Sequence, residues 1–205
     1  MLQPAILYED LLLKKMIKVC WFNEKYKYFN QGFEQLEEIS QSSKDAHQFV
    51  SVDNDGNICG IIFYRIDRHT RNVCGLNAAS FDENAITFGR DLLQAIDDIF
   101  VKFGFNKLNF GVVIGNPIEK TYDRLVCQAG GRVSGYYKRD AILMDGTFAD
   151  VKVYEIMKEE YLDHIEEKEW RKTLVANKRW MVGGKIFKWS QQVINKLLLH
   201  LWLIK

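Results

Sequence analysis

The chain of 205 residues is 47% hydrophobic and 27% charged and contains only two prolines, which suffices for one well-filled globular domain and excludes disordered, collagenous and disulfide-scaffold proteins. Its formal net charge of +1 hides two unlike segments. Residues 170–205 carry eight Lys or Arg and no Asp or Glu, so the first 169 residues, with 20 basic against 27 acidic side chains, sum to −7. We therefore expect an acidic body and a basic tail, which also holds four of the five tryptophans.

The cysteines give no sign of a metal site. Cys20, Cys59, Cys74 and Cys127 are widely separated and show no metal-binding spacing. We expect reduced, mostly buried thiols. The sequence shows neither a secretory leader pattern nor an uninterrupted apolar run of ~20 residues, so a cytoplasmic protein without a membrane span is the default expectation.

The first half of the chain predicts helices followed by an antiparallel meander. Apolar residues recur at helical intervals over residues 1–40, and from His47 the period changes to two. Asp55-Gly56 predicts a tight hairpin turn between two strands, and a third strand is expected over residues 72–80.

The second half predicts two amphipathic helices and three strands. The clearest helix spans residues 86–103 and ends at Gly104, and a buried strand follows over residues 108–114. A strand, helix and strand in this order imply a right-handed crossover between two parallel neighbours.

Capping residues predict the next helix and both of its ends. Asn116 is the expected N-cap, Pro117 occupies the first helical position and Glu119 is the capping-box partner. Gly130 is the expected C-cap. The last two strands are expected over residues 132–144 and 148–157, with a turn at Asp145-Gly146.

This element order and several local motifs resemble the GCN5-related N-acetyltransferase (GNAT) superfamily over roughly residues 5–162, and most closely its ribosomal-protein and polyamine acetyltransferase branch. The motifs are the helix-to-strand junction at residues 100–108, Gly115-Asn116-Pro117, Gly130-Gly131-Arg132, and Asp145-Gly146 followed by Asp150 and Tyr154-Glu155-Ile156.

The resemblance implies a fold and an activity. The fold is α/β, with a GNAT-like mixed, mainly antiparallel sheet and flanking helices, over a domain of residues 1–163. The activity is direct transfer of an acetyl group from acetyl-CoA, as co-substrate, to a primary amine of a small molecule or a protein. Fold alone does not determine chemistry, so each functional residue is considered singly.

The resemblance places the donor along the strand that precedes the long helix. In the family this strand ends in a splayed β-bulge whose backbone pairs with the pantetheine arm, and the matching residues are Ala78, Ala79 and Ser80. The family commonly has an Asn on the next strand that bonds the same arm, which corresponds to Asn116. An ordinary strand end and a helix cap are the alternative interpretations of these residues.

In the family the loop after this strand holds the pyrophosphate on a helix N-terminus. Here no Arg or Gln stands at the family's position, and the candidate phosphate-binding residues are Gly89, Thr87 and Arg90, of which Thr87 and Arg90 are expected to compensate in part. The loop departs from the family pattern because it has one glycine, and because Asp82 and Glu83 lie where phosphates are expected. Loop and cap chemistry without a ligand is the alternative.

Acetyl transfer also needs an acid to protonate the leaving thiolate and a base to deprotonate the amine. The family's acid is often a Tyr about four residues before a Gly-Phe pair, and that spacing falls here on Val126 or Cys127. Tyr122, about one helical turn earlier, and Cys127 are the candidate acids, with packing as the alternative for both. The strand over residues 72–80 has no Glu to act as the base.

The tail, residues 164–205, lies beyond the resemblance. We expect a charged helix over residues 163–177 and a second helix, Lys185–Lys205, with one wide apolar face. That face predicts docking on the body, on a second subunit or on a partner protein, or binding to an anionic membrane surface. No nucleic-acid module is recognisable. The alternative function is a catalytically degenerate GNAT-fold binding or structural protein that attaches through this tail.

Overall fold

The computed structural model describes residues 1–19, 23–29, 39, 44–81, 86–166, 180–182 and 185–187. The chain divides into two compact units, Met1–His164 and Ile165–Lys205. The strands of the first unit are β1 (Leu2–Pro4), β2 (Ala46–Val52), β3 (Ile58–Asp67), β4 (Asn72–Ser80), β5 (Lys107–Val113), β6 (Arg132–Ile142) and β7 (Phe148–Met157).

The described helices are mostly short and lie between the strands along the chain. They are a 3₁₀ turn at Ala5–Tyr8, α1 (Glu9–Val19), a 3₁₀ segment at Glu24–Phe29, α2 (Ile86–Asp97), a π-turn at Asp98–Lys102 that continues α2, α3 (Glu119–Gln128), and a helix over residues 158–166.

The seven strands form one sheet in the order β1-β2-β3-β4-β5-β7-β6. Every neighbouring pair is antiparallel except β4 and β5, which are parallel and are joined through α2. The meander β2-β3-β4 and the crossover are both as predicted. The mixed, mainly antiparallel sheet with flanking helices is therefore confirmed.

Each face of the sheet carries its own apolar cluster. Below α2 and α3 the cluster includes the fully buried Tyr64, Leu108 and Tyr154. On the other face Leu12 of α1 packs with Ile61. Burying each of the larger apolar side chains contributes about 1.5–3 kcal/mol. Strand β3 is buried from Ile58 to Tyr64 without interruption because both of its faces are covered, so its sequence is apolar rather than alternating.

Two glycines end helices as predicted. Gly104 (φ +67°) follows the π-turn, and Gly130 (φ +75°) follows α3. Both adopt the left-handed conformation that residues with a Cβ avoid, and the amide of Gly131 returns to the carbonyl of Val126.

Several sequence predictions were wrong in detail. Leu2–Pro4 is a strand and not part of a helix, because it pairs with β2. Helix α3 begins at Glu119, after a turn in which the amide of Glu119 donates to the carbonyl of Asn116. Among the described cysteines only Cys59 is buried, since Cys74 is half-buried and Cys127 is exposed.

The tail differs from the prediction where it is described. Lys185–Phe187 is a strand, antiparallel to Trp180–Val182, and not the start of a helix. The helix expected over residues 163–177 begins earlier, at residue 158, and is described to residue 166. Cys20, Asp82, Glu83 and residues 188–205 lie outside the described residues, so the contacts predicted for the tail stay predictions.

Among the helices that the structure describes, none combines the length and apolarity that crossing a membrane requires. Within the same residues no group of three or more His, Cys, Asp or Glu side chains is arranged to hold a metal ion.

Candidate functional site

The parallel strands β4 and β5 stay together over only three residue pairs. Asn72, Val73 and Cys74 pair with Lys107, Leu108 and Asn109, and the pairing then ends. The cause is a bulge in β4: between the pairs Phe63↔Asn77 and Arg65↔Cys74, two residues of β4 oppose one of β3. Gly75 (φ +62°) lies in this bulge. The two strands therefore diverge and leave a gap inside the sheet.

Strand β4 forms one lip of this gap. The amide of Phe81 donates to the carbonyl of Cys59 on β3 (2.7 Å), which makes Cys59↔Phe81 a hydrogen-bonded pair. Antiparallel pairs alternate between hydrogen-bonded and non-hydrogen-bonded, so the backbone groups of Ala78 and Ser80 face away from β3. The predicted stretch thus presents its N–H and C=O groups to the gap at alternate residues, with Ala79 turned towards β3.

Strand β5 forms the other lip. The amide of Ile114 donates to the carbonyl of Asp150 on β7 (2.9 Å). The same alternation turns the backbone groups of Gly111 and Val113 away from β7 and into the gap. The carbonyl of Val113 accepts the amide of Asn116 (3.0 Å), so the loop after β5 folds back over its own lip.

The two lips together form a slot of polar backbone in the middle of a sheet. Backbone donors and acceptors at such a place need partners, because leaving one buried and unpaired costs about as much as a lost hydrogen bond. An extended ligand that carries amides satisfies them in the way an added strand does. The slot therefore suits a flexible chain with amide groups.

Helix α2 begins just beyond the β4 lip. Its first turn contains no acidic residue, and the first amides of any helix lack intrahelical partners and attract anions. Thr87 is half-buried there. A Cβ at Gly89 would meet nothing within 4 Å, so the surface over this residue is open. The side chain of Arg90 is 71% exposed and lies 3.9 Å from Asp91.

Asn116 lies in the loop between β5 and α3. Its Oδ1 accepts the amide of Ile118 (3.1 Å), so it caps the turn that precedes α3. Glu119 does not complete the predicted capping box. Its Oε2 instead accepts the amide of Gly115 (3.3 Å), because the amide of Asn116 is already bonded to Val113. The loop at the end of β5 is thereby held by Glu119.

Tyr122 lies on the face of α3 that packs on the sheet. Its ring meets Phe110 edge-on, with 5.3 Å between ring centroids, and Phe110 is the neighbour of Gly111 in the β5 lip. Burial raises the pKa of Tyr122 to about 12, so the phenol is protonated at neutral pH. With the other described residues its hydroxyl forms no hydrogen bond. Cys127, the other candidate acid, is exposed on α3.

A buried cation fastens α3 to the sheet. Lys152 on β7 is 8% exposed, and its Nζ lies 2.6 Å from Oδ1 of Asp123 and 3.2 Å from Oε1 of Glu119. The Tyr154 hydroxyl donates to the same Asp123 oxygen (2.8 Å). The bond from Lys152 holds the pKa of Asp123 below its usual range, and that carboxylate in turn raises the pKa of Lys152. We call Lys152, Glu119 and Asp123 the α3 clamp.

The segment Glu24–Phe29 reaches the β4 lip and the loop that follows β5. The Tyr26 hydroxyl donates to the carbonyl of Ser80 (2.9 Å). The Tyr28 hydroxyl lies 3.8 Å from the point where a Cβ on Gly115 would stand. Tyr26 is 6% exposed and packs in the α1 cluster.

The resemblance implied a bulge at the end of β4, at residues 78–80, whereas the structure has it at Gly75 and Leu76. Sequence reasoning missed the α3 clamp and the tyrosines of Glu24–Phe29 altogether. The bulge had a local signal, since a glycine inside a strand pattern indicates a bulge, and Gly75 is such a glycine. The clamp and the tyrosines join residues far apart in the chain, and no local pattern reveals them.

No protein-family profile matches the chain, and no curated protein sequence matches it. Solved structures do. The spermidine/spermine N-acetyltransferase SpeG of Vibrio cholerae, solved with manganese ions, is 22% identical with a TM-score of 0.59, over 80% of this chain and 95% of that one. A chimera of the Vibrio cholerae spermidine N-acetyltransferase with hSSAT is 21% identical with a TM-score of 0.59, over 79% of this chain and 98% of that one.

A third neighbour was solved with ligands. The Vibrio cholerae spermidine N-acetyltransferase in complex with CoA and spermine is 22% identical with a TM-score of 0.56, over 79% of this chain and 97% of that one. At these identities the likeness is one of fold. The chain shares the fold of these spermidine N-acetyltransferases, which confirms the α/β fold with a mixed, mainly antiparallel sheet that the resemblance implied.

Proposed function

We propose that the protein is an N-acetyltransferase that uses acetyl-CoA as co-substrate and acts on a primary amine. The observation that carries the proposal is the slot between β4 and β5, whose two lips direct backbone groups into the gap at Ala78 on one side and at Gly111 on the other. The pantetheine arm of CoA is a narrow chain with two amides, and it matches this slot in shape and hydrogen-bonding capacity.

The pyrophosphate of CoA would bind just beyond the β4 lip. The amides at the start of α2, near Thr87, favour the pyrophosphate, and the open surface over Gly89 allows close approach. The exposed guanidinium of Arg90 is free to turn from Asp91 to a phosphate, a contact in which charge-assisted hydrogen bonds are strong. Asn116, at the end of the β5 lip, would bond the arm with the amide nitrogen that its capping role leaves over.

In the proposed reaction the neutral amine attacks the thioester carbonyl carbon. A C–N bond forms, the C–S bond breaks and the electron pair leaves with sulfur. Tyr122 supplies the proton that converts the departing thiolate into free CoA. The amine loses its proton to water, and the Tyr122 phenolate takes a proton back from water, so the acid is restored. A pKa of about 12 keeps this phenol protonated until a thiolate develops beside it. We place Tyr122 before Cys127 in this role because the Cys127 side chain is exposed.

The acceptor would approach from the α1 face. Tyr26 and Tyr28 lie there, the first bonded to Ser80 of the β4 lip and the second near Gly115 of the loop after β5. The solved neighbours are named for spermidine and spermine, so polyamines are the first acceptors to test. Protein amines are the second class.

The test is acetyl transfer with a panel of spermidine, spermine, a lysine peptide and a peptide with a free N-terminus. Released CoA thiol is followed by absorbance, and the acetylated amine by mass spectrometry. We expect one class of amine to be acetylated in stoichiometric amount with thiol release. Binding of acetyl-CoA without transfer to any amine of the panel would favour the binding-protein alternative.

A further inference from the structure

We propose that Lys152 is a positioning residue that fixes the loop Gly115–Asn116, and with it the β5 lip, through Glu119. The inference rests on the proposed function in assigning that loop to the acyl donor. The physical part, a clamp that sets a loop conformation, stands on contacts in this chain alone.

The chain of contacts runs from β7 to the loop. Lys152 contacts Oε1 of Glu119 (3.2 Å), and Oε2 of the same carboxylate accepts the amide of Gly115 (3.3 Å). Gly115 (φ +90°) is in the left-handed region, where glycine is conformationally permissive, so a bond to its amide helps to select one orientation of its peptide. Glu119 supplies that bond, and Lys152 determines where Glu119 lies.

The second arm of the clamp orients α3. Asp123 accepts from Lys152 (2.6 Å) and from the Tyr154 hydroxyl (2.8 Å), so α3 is fastened to β7 one turn after Glu119. Tyr122 precedes Asp123 and is carried on the same turn. One cation on β7 thus sets the loop that closes the β5 lip and the helix turn that bears the proposed acid.

The burial of Lys152 explains why its ion pairs hold the loop more firmly than ion pairs on the surface would. Lys152 is 8% exposed and pairs with Val112 of β5, next to the lip residues Gly111 and Val113. Removing one partner of a buried ion pair is strongly destabilising when the remaining charge stays buried without compensation. Glu119 and Asp123 are 24% and 41% exposed, so water can solvate them once the cation is gone, and the fold should survive its removal.

The chain offers a matched control. Arg132 on β6 also holds two carboxylates, Glu155 (2.8 Å) and Glu160 (2.6 Å), and it is remote in sequence from the Gly115 loop. Lys152→Met and Arg132→Met therefore each remove one cation from a pair of acids. Both variants are expected to lower the melting temperature. Only Lys152→Met is expected to change the conformation of the Gly115–Asn116 loop.

The decisive experiment is hydrogen–deuterium exchange of the full chain, without any ligand. We expect the Gly115 amide to exchange about fivefold faster in Lys152→Met and in Glu119→Ala, at wild-type rate in Arg132→Met, and with partial rescue in Lys152→Arg. Wild-type protection of Gly115 in a folded Lys152→Met would overturn the proposal, as would equal loss in Arg132→Met.

A kinetic measurement tests the functional consequence separately. In Lys152→Met we expect kcat/KM for acetyl-CoA to fall by roughly tenfold or more, and in Arg132→Met to stay within about twofold of wild type. Wild-type kinetics in a folded Lys152→Met would overturn the link to the donor site. If the wild-type protein transfers no acetyl group, the proposed function fails, and the exchange experiment still decides the role of Lys152.

Discussion

The hydroxyl of Tyr26 donates to the carbonyl of Ser80, across 54 positions of sequence, at a distance of 2.9 Å. Ser80 is the last residue of β4, and its backbone faces the slot and not β3. A side chain from the α1 face of the sheet therefore occupies a backbone acceptor on the lip proposed to hold the acyl donor. The bond ties the segment Glu24–Phe29 to the mouth of the slot.

Replacing Tyr26 by Phe removes this bond and keeps the ring in the α1 cluster. We expect the free energy of unfolding to fall by about 1 kcal/mol, measured by urea denaturation, because a single neutral hydrogen bond is lost. We expect acetyl-CoA to bind at least as tightly as in the wild type, because an acceptor on the lip is released. Binding weakened more than about tenfold would show instead that Tyr26 shapes the lip.

Gly89 and Gly60 give opposite expectations for the same change to Ala. A Cβ at Gly89 meets nothing, and glycine inside a helix costs about 0.5–1 kcal/mol relative to Ala, so Gly89→Ala should raise the melting temperature. A Cβ at Gly60 would lie 2.5 Å from the carbonyl oxygen of Ala79 and would also overlap the Phe88 ring, so Gly60→Ala should cost about 1–3 kcal/mol.

The functional readout of this pair is acetyl-CoA affinity. Because the proposed pyrophosphate lies over Gly89, the added methyl group should weaken binding although it stabilises the free protein. A more stable Gly89→Ala protein with unchanged affinity would remove the start of α2 from the donor site.

Tyr122→Phe tests the proposed acid. We expect kcat to fall roughly 100-fold with little change in KM for acetyl-CoA, since only proton donation to the leaving thiolate is lost. Tyr161→Phe is the matched control, because Tyr161 is a second partly buried tyrosine whose hydroxyl bonds Asp97 (3.3 Å) and not the slot. Steady-state assays of both variants decide the point. A near-normal kcat in Tyr122→Phe would contradict the role of Tyr122 as the acid and make Cys127→Ser the next variant to assay.

The α3 clamp predicts a dependence of stability on pH. The hydrogen bond from Lys152 lowers the folded-state pKa of Asp123, so its stabilising effect is full above the unfolded-state pKa of about 3.9 and is lost as the pH falls through the lower folded-state value. Lys152, whose pKa is raised, contributes fully below about pH 10.4 and loses its effect only at higher pH.

The measurement is urea unfolding of the wild type and Lys152→Met at pH 7 and near pH 3. We expect the difference in unfolding free energy between the two proteins to shrink at the acidic value, because near pH 3 the Asp123 carboxylate already takes up a proton in the unfolded state, whereas Lys152 opposes that protonation in the folded wild type. A difference that is independent of pH would mean that the clamp is not ionic.

The strands and helices of this fold are largely readable from local chemistry. Alternating apolar residues and the Asp55-Gly56 turn predict the β2–β3 hairpin, and Gly104 and Gly130 mark helix ends because few other residues adopt their conformation. Leu2–Pro4 escapes prediction because three residues are too few for a period and its hydrogen bonds come from β2.

The candidate site is less readable from the sequence. Ala78 and Ser80 were found through the resemblance, but the direction in which their backbone groups face depends on the register with β3. Lys152 has no local signal, since a lysine in a strand is ordinarily solvated, and only the packing of α3 on β7 shows that it is buried. Relationships between distant residues depend on tertiary structure, which local patterns do not contain.

The slot between β4 and β5 is tested most directly by calorimetric titration of acetyl-CoA into the wild type and Ala78→Pro. In Ala78→Pro the backbone N–H that is lost faces the slot, so the pairing of β4 with β3 should persist. In Ala79→Pro, the control, the lost N–H faces β3, so the sheet should unfold. We predict micromolar binding for the wild type and none for a folded Ala78→Pro. Absence of heat from the wild type at millimolar acetyl-CoA would contradict the proposed function.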